Sequence, residues 1–176
     1  SLWIKQSVRY LKKYLENNPV DAIFSDGPPH TNTVIANKIS QHFSIPWLAD
    51  FQDPWTQADY YEMIPIGKIA HNIHSKMEQS VFKNANKITI ASTSWATDLE
   101  SICDKYFDTI YYGYDESDFT DLADEKADKI TITHAGLLGI DRFPEKFFMA
   151  IKDVIDADHE AKNKLRLKLV GQVDFE

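Results

Sequence analysis

Apolar residues recur along this chain at two alternating spacings. In residues 2–16, Ile4, Val8, Leu11 and Leu15 stand three or four apart, with Lys12 and Lys13 on the other side. That spacing predicts an amphipathic helix, stopped by Asn17-Asn18-Pro19. A β-prone run over 20–25 then meets a cluster of breakers, Asp26-Gly27-Pro28-Pro29-His30. Thr31 or Asn32 can cap the next helix, whose apolar face is Ile35, Ile39 and Phe43. The run Ile45-Pro46-Trp47-Leu48-Ala49 has the length of a buried strand and leads into Asp50-Phe51-Gln52-Asp53-Pro54-Trp55, where Pro54 cannot continue a ladder. After an irregular aromatic segment, Ile69, Ile73, Met77 and Val81 predict a long helix from Lys68. A strand over 87–91 follows, then Ser92-Thr93 capping a helix that presents Trp95, Leu99 and Ile102, and a short strand over 109–112.

This alternation predicts an α/β fold: a parallel sheet with helices on both faces, in a Rossmann-like doubly wound domain. From 113 to 129 the composition turns to Asp, Glu, Ser and Thr, as in a linker. The expected organisation is a first domain over 1–113, an acidic linker over 114–129 and a second domain from 130 to 176. In the second, 130–135 reads as a strand, 136–143 as a loop, and Pro144 suits the first turn of a helix. That helix is expected to bury Phe147, Phe148, Ile151, Val154 and Ile155, and the alternating Leu165, Leu167 and Leu169 make a last strand. Roughly 50 residues are too few to close a doubly wound domain, so the expectation is a truncated second domain whose open edge favours self-association.

Hydrophobic content of 43% with 26% charged residues describes a folded globular protein. A net charge of -8 argues against nucleic acid, because phosphates are neutralised by clustered Lys and Arg. The single Cys103 cannot form an intrachain disulfide or a Cys-based zinc cluster, which fits a reducing compartment. No run approaches the ~20 apolar residues of a spanning helix. The expectation is a cytoplasmic protein, and a start at Ser1 without an initiator Met suggests an excised piece.

The chemistry concentrates at the carboxyl end of the strand before Pro54. In open α/β sheets ligands bind at that edge, and Asp50, Asp53 and Trp55 fall on it. Asp and Pro are also ordinary turn formers, so a purely structural role for this stretch stands beside the functional one. His30 is expected on the same edge, where an imidazole and two carboxylates could bind hydroxyls and move a proton. Trp55, Tyr60 and Tyr61 could stack on a sugar ring or roof the core. His71 and His74 stand three apart but lack a third ligand at suitable spacing, so a solvated pair is the commoner case. No Gly-x-Gly-x-x-Gly or Gly-Lys-Ser/Thr loop is present, which removes the usual fingerprints of dinucleotide and P-loop enzymes.

Ser25-Asp26-Gly27-Pro28-Pro29-His30 and Ile45-Pro46-Trp47-Leu48-Ala49-Asp50-Phe51-Gln52-Asp53-Pro54-Trp55 resemble the middle of family-four glycosyltransferases of the GT-B type, which make bacterial surface polysaccharides. Met77-Glu78-Gln79-Ser80 to Lys87-Ile88, Gly113-Tyr114-Asp115, Thr133-His134-Ala135-Gly136 and Arg142-Phe143-Pro144 are similar to that family and in its order. The resemblance implies two Rossmann-like domains facing across a cleft, a sugar or lipid-linked acceptor on the first, a nucleotide-sugar donor mainly on the second, no metal or other cofactor, and retention of configuration. It implies Asp53, Asp50 and His30 as catalytic, Trp55 and Pro29 toward the acceptor, and Gly136 and Arg142 toward the donor diphosphate. It also implies a cytoplasmic location, at the inner face of the membrane if the full-length enzyme attaches peripherally. Tyr112 departs from the asparagine common before Gly-Tyr-Asp, and the chain ends before the family's acidic nucleotide-binding pair. Two rivals remain open: a GT-B nucleotide-sugar epimerase, and a flavodoxin-like binding or signalling module whose acidic loop holds Mg2+.

Overall fold

The computed structural model describes residues 3–120, 128–139 and 143–173. The chain divides into two compact units, Ser1–Tyr114 and Asp115–Glu176.

The first unit opens with α1 (Trp3–Leu15), whose Ile4, Val8, Leu11 and Leu15 are half-buried. Asn18 closes it by donating its side-chain amide to the Tyr14 carbonyl at 2.9 Å. Strand β1 (Ile23–Gly27) leads to α2 (Thr31–Phe43), β2 (Trp47–Phe51), a 3-10 turn (Asp59–Met63), α3 (Lys68–Asn84), β3 (Lys87–Ile90), α4 (Thr93–Glu100) and β4 (Asp108–Thr109). The strands are parallel in the order β1-β2-β3-β4. Register runs from Ile23↔Trp47 to Gly27↔Phe51, and places Asp26 beside Asp50 and Asp50 beside Thr89.

The parallel α/β architecture matches the expectation from the sequence, but the order advances in one direction only. The reversal of strand order that makes a sheet doubly wound is not among the described residues. With right-handed crossovers, a sequential order places the connecting helices on one face. Burial agrees. Ser25, Gly27, Trp47, Ala49, Phe51, Ile88 and Ile90 are buried, whereas Phe24, on the opposite face of β1, is 67% exposed. By that rule the helices between these strands share one face, although Thr89 on the Phe24 face is also buried.

Several element edges also differ from the sequence reading. Strand β1 begins at Ile23 and includes Asp26 and Gly27, carried along because their register with Asp50 and Phe51 continues. Strand β4 is only two residues long, since its partner β3 stops at Ile90, and Ile110, Tyr111 and Tyr112 are exposed. The N-cap of α2 is His30, not Thr31 or Asn32. Helix α4 ends at Glu100, so Ile102 leaves its apolar face and is exposed. Helix α3 buries Glu78, Val81 and Phe82, while Ile69 and Ile73 are exposed, because only its second half joins the core cluster of Trp47, Phe51, Phe82, Leu99 and Phe107. Helices α2 and α3 are tied by a polar chain: Asn37 donates to Ser80 at 3.0 Å and Asn84 donates to Asn37 at 2.9 Å.

In the second unit β5 (Ile130–Ala135) and β6 (Leu165–Val170) pair in parallel over six residues, with α5 (Glu145–Ala157) and α6 (His159–Lys164) between them. Beyond the strands the pairing continues through a bridge from Leu138 to Val173. Gly136 and Gly171 both have positive φ, and a Cβ on Gly171 would stand 2.2 Å from the Gly136 carbonyl oxygen, so only glycine fits there. The expected apolar face of α5 is not buried: Phe147 and Val154 are exposed and no residue of the helix is fully covered. A two-stranded sheet is too narrow to cover a helix of 13 residues. Among the described residues no helix is long and apolar enough to cross a membrane.

Candidate functional site

The site of the first unit lies where β1 and β2 end side by side. After Gly27 the chain turns through two cis peptides, Gly27-Pro28 and Pro28-Pro29, into His30. The Gln52 amide donates to the Gly27 carbonyl at 2.9 Å and so fastens the end of β2 to this turn, while the Asn32 side chain donates to the Asp26 carbonyl at 3.2 Å within it. The neighbouring strands bring His30 and Asp53 to one edge, as their positions in the sequence suggested.

His30 is 8% exposed and sandwiched between two rings: Phe51 at 5.4 Å and Trp55 at 5.1 Å, the latter only 13° from parallel. Its Nδ1 lies against β1, where a Cβ on Gly27 would come within 3.0 Å of it. No side chain among the described residues hydrogen-bonds to either ring nitrogen, and the Pro54 backbone carbonyl reaches the ring only as a weak acceptor. Burial lowers the pKa of His30, opposed by the Pro54 backbone carbonyl and then by the Asp53 carboxylate. The imidazole is therefore held neutral, with one nitrogen able to accept a proton.

Three carboxylates belong to this edge, and of these Asp53 is the one whose charge acts on His30. Asp26 accepts from the Gln52 side chain at 3.0 Å through Oδ2, while its buried Oδ1 has no partner. Asp50 accepts from the Thr89 hydroxyl. Tyr112 donates to the Gln52 carbonyl at 3.4 Å, and desolvation, then Asp53, Asp50 and Asp26, raise its pKa. Tyr60 is raised too, by desolvation, then Asp53 and Asp59. The edge thus combines acceptors for hydroxyl protons, a neutral imidazole and two phenols that stay protonated. Among the described residues no group of three His, Cys, Asp or Glu is placed to hold a metal ion.

Trp55 is half-buried with one ring face laid on His30, and His74 stands 5.8 Å from it. Pro29 is exposed, its carbonyl taken by the Asn32 amide at 2.9 Å. His74 is occupied by the Tyr61 hydroxyl at 3.0 Å, and His71 lies beside the Tyr61 ring at 5.8 Å. The loop after Trp55 is fastened to α3 by Glu78, which is 0% exposed. Its carboxylate accepts from the Thr56 amide at 3.0 Å and from the Thr56 hydroxyl at 2.5 Å. Burial raises the pKa of Glu78, while the Thr56 bonds, Gln57 and His71 lower it. Taking a carboxylate out of water costs several kcal/mol, which hydrogen bonds to its charged form offset in part.

In the second unit, Gly136 follows β5 with its amide donating to the Val170 carbonyl at 2.8 Å. At the start of α5 the Glu145 and Phe147 amides are taken by the Phe143 and Pro144 carbonyls, both at 3.0 Å. Arg142 lies outside the described residues.

Comparison of the sequence with protein-family models and with curated proteins returns no match.

Reading the sequence missed Gln52, Thr89 and Glu78 as parts of this site, and singled out Asp26 only in the acidic loop of the Mg2+-holding rival. Ser-Asp-Gly in β1 and Ala-Asp-Phe in β2 repeat a small residue and an aspartate at one register, which is the signal for Asp26. Glu78 leaves the trace of an acidic residue beside the apolar Met77 and Val81.

Proposed function

We propose that this chain carries the acceptor side of a retaining glycosyltransferase of the GT-B type. The carrying observation is that the carboxyl edge of a parallel sheet gathers Asp26 and Asp50, paired in register, and Asp53, whose charge acts on the buried His30, with one Asp26 oxygen left without a partner among the described residues. Carboxylates that accept hydroxyl protons and a neutral imidazole suit a hydroxyl acceptor more than an anion. In this reading Asp53 and Asp50 orient the acceptor, His30 polarises the attacking hydroxyl, and Trp55 and Pro29 border the site. Gly136 and Arg142 serve the donor diphosphate. Arg142→Ala in the complete protein is then expected to weaken nucleoside-diphosphate binding by about 1.5–3 kcal/mol, the range for a hydrogen bond to a charged group, measured by calorimetry.

The test is incubation of the complete protein with uridine- and guanosine-diphosphate sugars, with and without sugar or lipid-linked acceptors, followed by NMR of the sugar anomeric protons. Donor consumption that requires acceptor and yields a retained linkage supports the reading. Conversion of the donor sugar without acceptor would make the protein an epimerase, and an inert panel would remove both.

A further inference from the structure

Glu78 is buried with no Lys or Arg paired to it among the described residues and only the His71 charge nearby, and the hydrogen bonds it accepts come from one short segment, Thr56 and its neighbour Gln57. Thr56 directly follows Trp55, and Trp55 is the ring that closes His30 from above. A second tie joins the same loop to the same helix, from the Tyr61 hydroxyl to His74. A carboxylate is an expensive group to bury for loop anchoring alone, since a neutral hydrogen-bonding side chain could hold a surface turn. Its two oxygens, however, can take the amide and the hydroxyl of a single residue at once and so set the direction in which the preceding side chain leaves the backbone.

We infer that Glu78 is the positioning residue of the candidate site: by clamping Thr56 it keeps the Trp55 ring flat on His30 and so keeps the imidazole desolvated. This goes beyond the transferase reading and does not depend on it. The ring stack, and not the carboxylate itself, sets the state of His30. The charged or polar groups that face His30 are the Asp53 carboxylate and the Pro54 carbonyl, and Glu78 is not among them. Glu78 in turn faces Thr56, Gln57 and His71, and its charge reaches Tyr61 and Cys103.

The test reads His30 without any substrate. Imidazole proton resonances of this chain are followed by NMR between about pH 5 and 8 in the unchanged protein and in Glu78→Gln, Thr56→Val and Thr56→Ser. His30→Gln assigns the His30 signal. In the unchanged chain that signal is shifted by the Trp55 ring and titrates below the ordinary histidine value. In Glu78→Gln and Thr56→Val it loses the ring shift and titrates higher, while Thr56→Ser keeps the original behaviour. A purely structural Glu78 would lower the melting temperature and leave the His30 signal in place, and that result overturns the inference. If Glu78→Gln does not fold, Thr56→Val at its half-exposed loop position carries the test alone. Failure here leaves sugar transfer untouched, and absence of sugar transfer leaves the clamp untouched.

Discussion

His30 is buried with no side-chain hydrogen bond to its ring among the described residues, and its pKa lies below the ordinary 6.5, chiefly through burial. Between those two values the unfolded chain holds a proton that the native state does not. Stability therefore rises with pH across that interval. The contribution is complete above 6.5 and is lost as the pH falls through the folded-state value. Glu78 works in the other direction. Its folded pKa is raised above the ordinary 4.5, so stability declines as the pH climbs from 4.5 through the folded value. Urea midpoints of the unchanged chain and of His30→Gln, compared over about pH 5 to 8, separate the two. The unchanged chain is expected to lose ground to the variant only below 6.5. A constant difference at every pH would mean that His30 is not held neutral. The position of His30 on the sheet edge was legible from Gly27-Pro28-Pro29 breaking β1. Its burial was not, because the Trp55 ring that covers it arrives from a loop whose path depends on Glu78.

Among the elements, β2 was the most legible: a short apolar run stopped by Pro54 has one reading, and β1 and β3 flank it as the alternation required. The helices were less so. The run Ile69-Ile73-Met77-Val81 has helical spacing, yet only Val81 of these four is fully buried, because the first half of α3 extends away from the core. Spacing reports which residues share a face, and not how much of that face meets a partner. The same limit applies to α5, whose apolar positions are real but have only a two-stranded sheet beside them. A paired substitution makes the contrast measurable. Phe82, 1% exposed between Phe51 and Phe107, should cost about 3–5 kcal/mol when replaced by Ala. Phe147, 40% exposed, should cost well under half of that by the same denaturation measurement. Similar losses would mean that α5 packs as the sequence pattern suggested.

For the molecule as a whole, the exposed apolar surface decides its behaviour in solution. A groove of about 910 Å³ runs along α1 and the free edge of β1, lined by Trp3, Tyr10, Leu11, Val20, Phe24 and Ile35. A free strand edge beside exposed apolar side chains favours pairing between copies, against the repulsion of a net charge of -8. Light scattering is expected to show an apparent mass that grows with concentration, more so at high salt, where the repulsion is screened. A strict monomer throughout would mean that this edge is self-protected. The central claim, that the carboxyl edge of the first sheet is where the acceptor reacts, is met most directly by Asp53→Asn in the complete protein. Its turnover on whichever nucleotide-sugar is consumed is measured beside its melting temperature. A half-exposed carboxylate contributes little to the fold, so the account predicts a fall in turnover of about tenfold or more with a melting temperature nearly unchanged. Equal losses of turnover and stability, or no loss of turnover, would return Asp53 to the role of a turn former.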